Sequence, residues 1–109
     1  MWQMTANDFR KLALSFPDTV EASHMGHPDF RARGKIFATF PGADEKVGMV
    51  KLTPEQQAMF VKDEPTMFRP VPGGWGKGGA TQVLLKSATK TEVRRAMETA
   101  WKNMTAKKK

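Results

Sequence analysis

The sequence predicts an α+β protein: a two-layer sandwich in which an antiparallel sheet carries its helices on one face. Three observations lead there. Both ends of the chain hold apolar residues at helical spacing. The middle holds short β-type runs broken by turn residues. The links between successive runs are too short for parallel crossovers, so neighbouring strands must run antiparallel.

The first helix starts at Thr5-Ala6-Asn7-Asp8, a Thr cap with an acid three residues on. Phe9, Leu12, Ala13 and Phe16 follow at helical spacing, and Pro17-Asp18 ends it. Phe30–Arg33 and Lys35–Phe40 read as a hairpin with Arg33-Gly34 in its turn. In the second strand Ile36, Ala38 and Phe40 should alternate with Lys35, Phe37 and Thr39. Pro41-Gly42-Ala43-Asp44 is a further turn, and Val47–Leu52 a third strand. Thr53-Pro54-Glu55-Gln56 opens a second helix: Thr caps, Pro suits the first position and Gln completes a capping box. That helix should stop before Pro65, with the chain extended around Phe68. Pro72–Gly79 is too rich in glycine for regular structure. Thr81–Lys86 is the last strand, with Val83 and Leu85 on one face. Val93, Ala96, Met97, Ala100, Trp101 and Met104 form the core stripe of a final helix, about Thr91–Met104, capped by Thr89 or Thr91. That helix and the first should cover one face of the sheet.

The chain has 109 residues, which suits one domain, taken as 1–106, followed by a basic tail at 107–109. Seven Phe and eight Met predict a core rich in both. Without Cys there is no disulfide, no thiolate chemistry and no cysteine zinc site. The first ten residues carry charges and no long apolar run, unlike a signal peptide, and no stretch approaches a membrane span. A cytoplasmic, soluble protein is expected. Net charge is +7, and Lys107, Lys108 and Lys109 supply three of those charges. A balance of this sign attracts polyanions, although a Lys tail is more often a solvated end.

No catalytic motif is present. Ser15, Ser23 and Ser87 lack a nucleophile-elbow setting. His24 and His27 are the only histidines. A metal needs three or four compatible ligands, and residues three apart on one strand point to opposite faces. Neither catalysis, metal nor cofactor is expected. PGGWGKGG is no Walker loop, since Lys77 is followed by Gly78. It reads as a plain turn, as a tip presenting Trp75 and Lys77 to a base and a phosphate, or as a loop whose Trp75 folds back onto the sheet as core.

The runs SHMGHPDFRARGKIFATF, VKLTPEQQ, FRPVPGGWGKGGATQVLL and RRAMETAW, in this order and spacing, resemble the MmcQ/YjbR-like family. The resemblance covers roughly Phe9 to Trp101. It implies a fold similar to the CyaY/frataxin sandwich, and DNA binding through a double-wing motif whose wings are β-hairpins. One departure is Ala80, which stands where family members often carry a second aromatic after Trp75-Gly76. The frataxin likeness implies no iron handling here: Asp8, Asp18 and Glu21 do not form an acidic ridge, and Arg10 and Lys11 lie among them.

The expected function is a non-catalytic module that binds DNA electrostatically and with little sequence selectivity. Its expected site residues are Arg31, Arg33 and Lys35 on the hairpin, with Trp75 and Lys77 on the glycine-rich loop. By strand alternation Arg31 and Arg33 can share a face, with Lys35 on it or not. A charged hairpin can equally serve to block sheet-to-sheet association. The alternative is an adaptor that holds a protein, peptide or small ligand on the helix-free sheet face. A basic open face would favour nucleic acid, and an apolar one a protein or small ligand. The sequence sets no oligomeric state.

Overall fold

A computed structural model describes residues 4–24, 27–40 and 46–106; the turn expected at 41–44 and the tail at 107–109 lie outside these. The elements are α1 (Ala6–Leu14), β1 (Thr19–His24), β2 (His27–Ala32), β3 (Lys35–Thr39), β4 (Val47–Lys51), α2 (Pro54–Asp63), β5 (Phe68–Pro70), α3 (Gly74–Lys77), β6 (Ala80–Leu84) and α4 (Lys90–Thr105). Six strands form one sheet in the order β1-β2-β3-β4-β6-β5, every pair antiparallel. The α1, α2 and α4 helices pack on one face, giving the expected two-layer α+β sandwich.

The caps are those the sequence encodes. The Thr5 hydroxyl accepts the Asp8 N–H at 3.1 Å, and the Asp8 carboxylate accepts the Thr5 N–H at 3.0 Å. Thr53 and Gln56 form the same reciprocal box at 3.2 and 2.9 Å, with Pro54 in the first turn of α2. Thr89 caps α4.

The hydrogen bonds from the Thr5 backbone and then the Thr5 side chain hold the Asp8 carboxyl below its ordinary value. A group whose folded pKa is depressed adds stability above its unfolded pKa and loses it as pH falls through the folded value. Asp8→Asn is therefore expected to melt below wild type near neutral pH. Thermal melts of the two proteins should converge in acid; a gap of constant size at all pH would remove Asp8's charge from the account.

All seven phenylalanines are buried. Phe9 lies at the centre, its ring 5.0 Å from Phe40 and 6.3 Å from Phe30. Phe16 bridges Phe37 at 6.2 Å and Trp101 at 5.9 Å, while Phe60 meets Phe68 at 5.3 Å. Val93, Ala96, Met97 and Ala100 of α4 complete this layer. Trp101 is half-buried rather than fully buried: its indole N–H reaches the Pro17 carbonyl at 2.9 Å. Methionine contributes as well: Met4, Met49 and Met97 are buried, and Met67 and Met104 pack against the core, while Met59 is exposed.

Four local features differ from the sequence reading. Thr19–His24 forms an edge strand, β1, that was not anticipated. In β3 a bulge leaves Phe37 without a partner, because Phe30 opposes Ala38 while Arg31 opposes Ile36. The extra residue turns both Phe37 and Ala38 into the core and sends Ile36 to the open face, so the expected alternation breaks there. The glycine-rich segment contains a helical turn, α3, where none was expected. Finally, His24 and His27 belong to two strands whose backbone register sets them directly opposite each other. Residues three apart point to opposite faces only within one strand, so that rule does not apply to this pair. Among the described residues no three His, Asp or Glu side chains are grouped to hold a cation, and no helix is long and apolar enough to cross a membrane.

Candidate binding site on the open sheet face

Strand register decides which side chains the helix-free face presents. Phe30 points to the helices, so Asp29 and Arg31 on β2 point away, and so do the residues that oppose them on β3, Thr39 and Ile36. Thr39 opposes Met49, which places Val47, Met49 and Lys51 of β4 on the same side. Met49 opposes Gln82, and Gln82 opposes Arg69, which adds the outer edge of the sheet.

On this face lies a mostly apolar groove of about 290 Å³. Ile36, Met49 and Thr39 line it, with Lys51 and Asp29 beside them and Trp75 of α3 as one wall; His27 also borders it. Met49 is only 2% exposed, yet it points away from the helices and lies outside the main core. Trp75 is 67% exposed. Two smaller clefts, about 200 and 170 Å³, lie beside α1, one with Arg10 and Glu21, the other with Lys11 and Arg94.

The indole is set by a rigid support. Buried Gln57 of α2 donates from its amide nitrogen to the carbonyls of Gly76 at 2.9 Å and Ala80 at 2.8 Å. Gly73, at φ 87°, turns the chain into α3. Gly76 packs so closely on Val71 that a Cβ there would lie 1.7 Å from the Val71 carbonyl oxygen. Glycine is needed at that position because a second backbone occupies the side-chain space. The Trp75 ring is exposed, and its backbone is helical and braced.

The electrostatics are asymmetric. Among the described carboxylates, Asp29 is the one at an outward strand position; it is buried, and Arg31 binds both its oxygens, at 2.8 and 3.1 Å. Those hydrogen bonds, and then the charge of Asp29, push the Arg31 pKa above its ordinary value. Asp8, Glu55, Asp63, Glu92 and Glu98 all lie on helices of the covered side, and Glu21 faces that way to bind Arg10 at 2.6 Å. Lys51 and Arg69 stay exposed on the open face, Arg69 touching neutral Gln82 at 2.6 Å.

The sequence-predicted residues therefore separate. Arg31 stands on the open face, paired with Asp29. Arg33 sits in the hairpin turn at φ 53° and reaches the other way, donating to the Thr105 carbonyl at 3.3 Å and lying 3.7 Å from Asp18. Lys35 is exposed but opposes the inward-facing Ala32. The two-residue turn pairs Lys35 with Ala32 and Ile36 with Arg31, so Lys35 lies on the opposite face from Arg31, and the three do not share a face. Trp75 joins the open-face groove, and Lys77 is exposed at the end of its helical turn. Lys51, Arg69 and the Ile36–Met49 pair were not singled out from the sequence. Alternation through β4 pointed to Lys51; Ile36 was hidden by the bulge.

A six-stranded antiparallel sheet with α1, α2 and α4 on one face and a groove on the other defines a small α+β domain with one sheet face left open. The chain belongs to the YjbR family, whose model matches residues 14–103. In fold it is similar to a Deinococcus radiodurans protein, DR2400, of the family-model domain DUF419: the TM-score is 0.77 at 14% identity, over 96% of this chain and 81% of that one. No curated protein sequence matches it significantly.

Proposed function

We propose that this protein is a non-catalytic nucleic-acid-binding module that uses the open face of its sheet rather than the β2–β3 hairpin tip. The observation that supports this most is the segregation of charge. The open face carries Lys51 and Arg69 beside an exposed indole, and its one described carboxylate, Asp29, is buried and neutralised by Arg31. Polyanion backbones are held by such cations without reading base sequence. The hairpin tip is a poorer candidate, because Arg33 is drawn toward Asp18 and Thr105. The apolar floor of Ile36 and Met49 favours a second reading, a peptide laid in the same groove.

Salt dependence separates the two. If three or four phosphates are neutralised, log affinity for a single strand should fall with log salt at a slope of roughly −2 to −3. Fluorescence anisotropy with labelled single-stranded and duplex oligonucleotides measures this directly. Lys51→Glu with Arg69→Glu should remove most binding, and truncation after Ala106 should shallow the slope while leaving binding. Neither Lys51 nor Arg69 is in the core, so melting should change little. Absence of binding at low salt, or binding carried wholly by the tail, would put the peptide reading ahead.

A further inference from the structure

We infer that the Trp75 groove seats an unpaired nucleobase, so that the module prefers single strands to duplex; this rests on the nucleic-acid reading above. Four observations converge on the groove. First, Trp75 is exposed although every Phe is buried and Trp101 is half-buried. A large indole left in water is available for a partner. Second, the ring is not on a loose tip: Gln57 and the close contact of Gly76 with Val71 fix the turn that carries it. A braced aromatic loses little freedom when a ligand stacks on it.

Third, the groove is apolar where a base would lie. Ile36 and Met49 line it, and the Thr39 hydroxyl is already turned to the Pro28 carbonyl, donating at 2.6 Å. Such a surface offers nothing to phosphates or sugar hydroxyls, which are all a duplex presents outside its grooves. It suits the flat π-face of a base that has left its stack, and stacking of this kind tolerates any of the bases. Fourth, cations lie beside the groove: Lys51 lines it, and Arg69 stands two strands further along the sheet. A single strand crossing the sheet can place a base against Trp75 and its phosphates near both. The buried Asp29–Arg31 pair keeps negative charge off this path.

The test compares wild type with Trp75→Ala and Trp75→Phe, using a thymidine oligomer, the uridine oligomer of equal length and a blunt duplex. Wild type should bind either single strand more tightly than the duplex at the same salt, and the two sugars report which backbone is preferred. Trp75→Ala should weaken single-strand binding about 5- to 150-fold, as expected for one stacked base, and leave duplex binding within about twofold. Trp75→Phe should recover part of the loss, because a smaller ring still stacks. Binding should quench wild-type tryptophan fluorescence more than that of Trp75→Phe. Equal affinity for duplex and single strand, or an equal loss in Trp75→Ala on both, overturns base seating while leaving the charge-based reading intact. No binding of any oligonucleotide at low salt overturns both.

Discussion

Phe9→Ala is expected to cost about 3–5 kcal/mol of stability, within the range for truncating a buried aromatic. Phe9 is fully buried, and it locks α1 onto the sheet. Its ring meets Phe30 and Phe40 and lies against Gly48, where a Cβ would approach the ring to 2.7 Å. The vacated space has rigid walls: a strand backbone on one side and two ordered rings on others. Collapse into it is therefore limited, and the cavity term stays large. For a domain of this size the melting temperature should fall by about 12 °C or more. Gly48→Ala should also destabilise, by pressing a methyl into the Phe9 ring. Combined with Phe9→Leu its cost should shrink, because the two sites share one volume and do not act independently. Thermal or urea melts of the four proteins check this. Additive losses would mean that Phe9 and Gly48 do not compete for the same space.

How far the sequence could be read follows from how local each signal is. The α1, α2 and α4 helices were legible because their caps lie within four residues of each other: Thr5 with Asp8, Thr53 with Gln56, Thr89 with Glu92. The Arg33-Gly34 turn was legible for the same reason, since positive φ at both residues is a local demand that Gly34 meets. The β1 strand was not legible. TVEASH has one large apolar residue, and as an edge strand it buries little; Val20 is 60% exposed. The bulge at Phe37 was hidden because FAT fits either pairing until Phe16 and Phe9 decide which rings go inward. The groove was hidden most deeply. Trp75, Ile36 and Met49 are far apart in the chain, and the strand order alone brings them together.

Gly76→Ala is expected to abolish the groove without altering any residue that lines it. The added methyl would lie 1.7 Å from the Val71 carbonyl oxygen, and that atom belongs to backbone. Val71 cannot retreat easily, because its N–H is bonded to the Ala80 carbonyl at 3.0 Å, which ties it to β6. The helical turn must open instead. Opening it parts the Gly76 carbonyl from Gln57, leaving a buried amide short of one partner, a loss of about 1–3 kcal/mol before the steric term is added. Trp75 then loses its fixed position, so single-strand affinity should drop as far as in Trp75→Ala while the melting temperature falls as well. Gly74 is the control within the same turn. A Cβ there meets nothing within 4 Å, and its φ does not lie in the left-handed region. Gly74→Ala should be neutral or raise stability by up to about 1 kcal/mol, through reduced freedom of the unfolded chain, and should bind like wild type. The two variants add the same methyl two residues apart, so a difference between them reports the Val71 contact and nothing about composition. If Gly76→Ala melts and binds like Gly74→Ala, the turn does not depend on that contact, and the indole is placed by some other means.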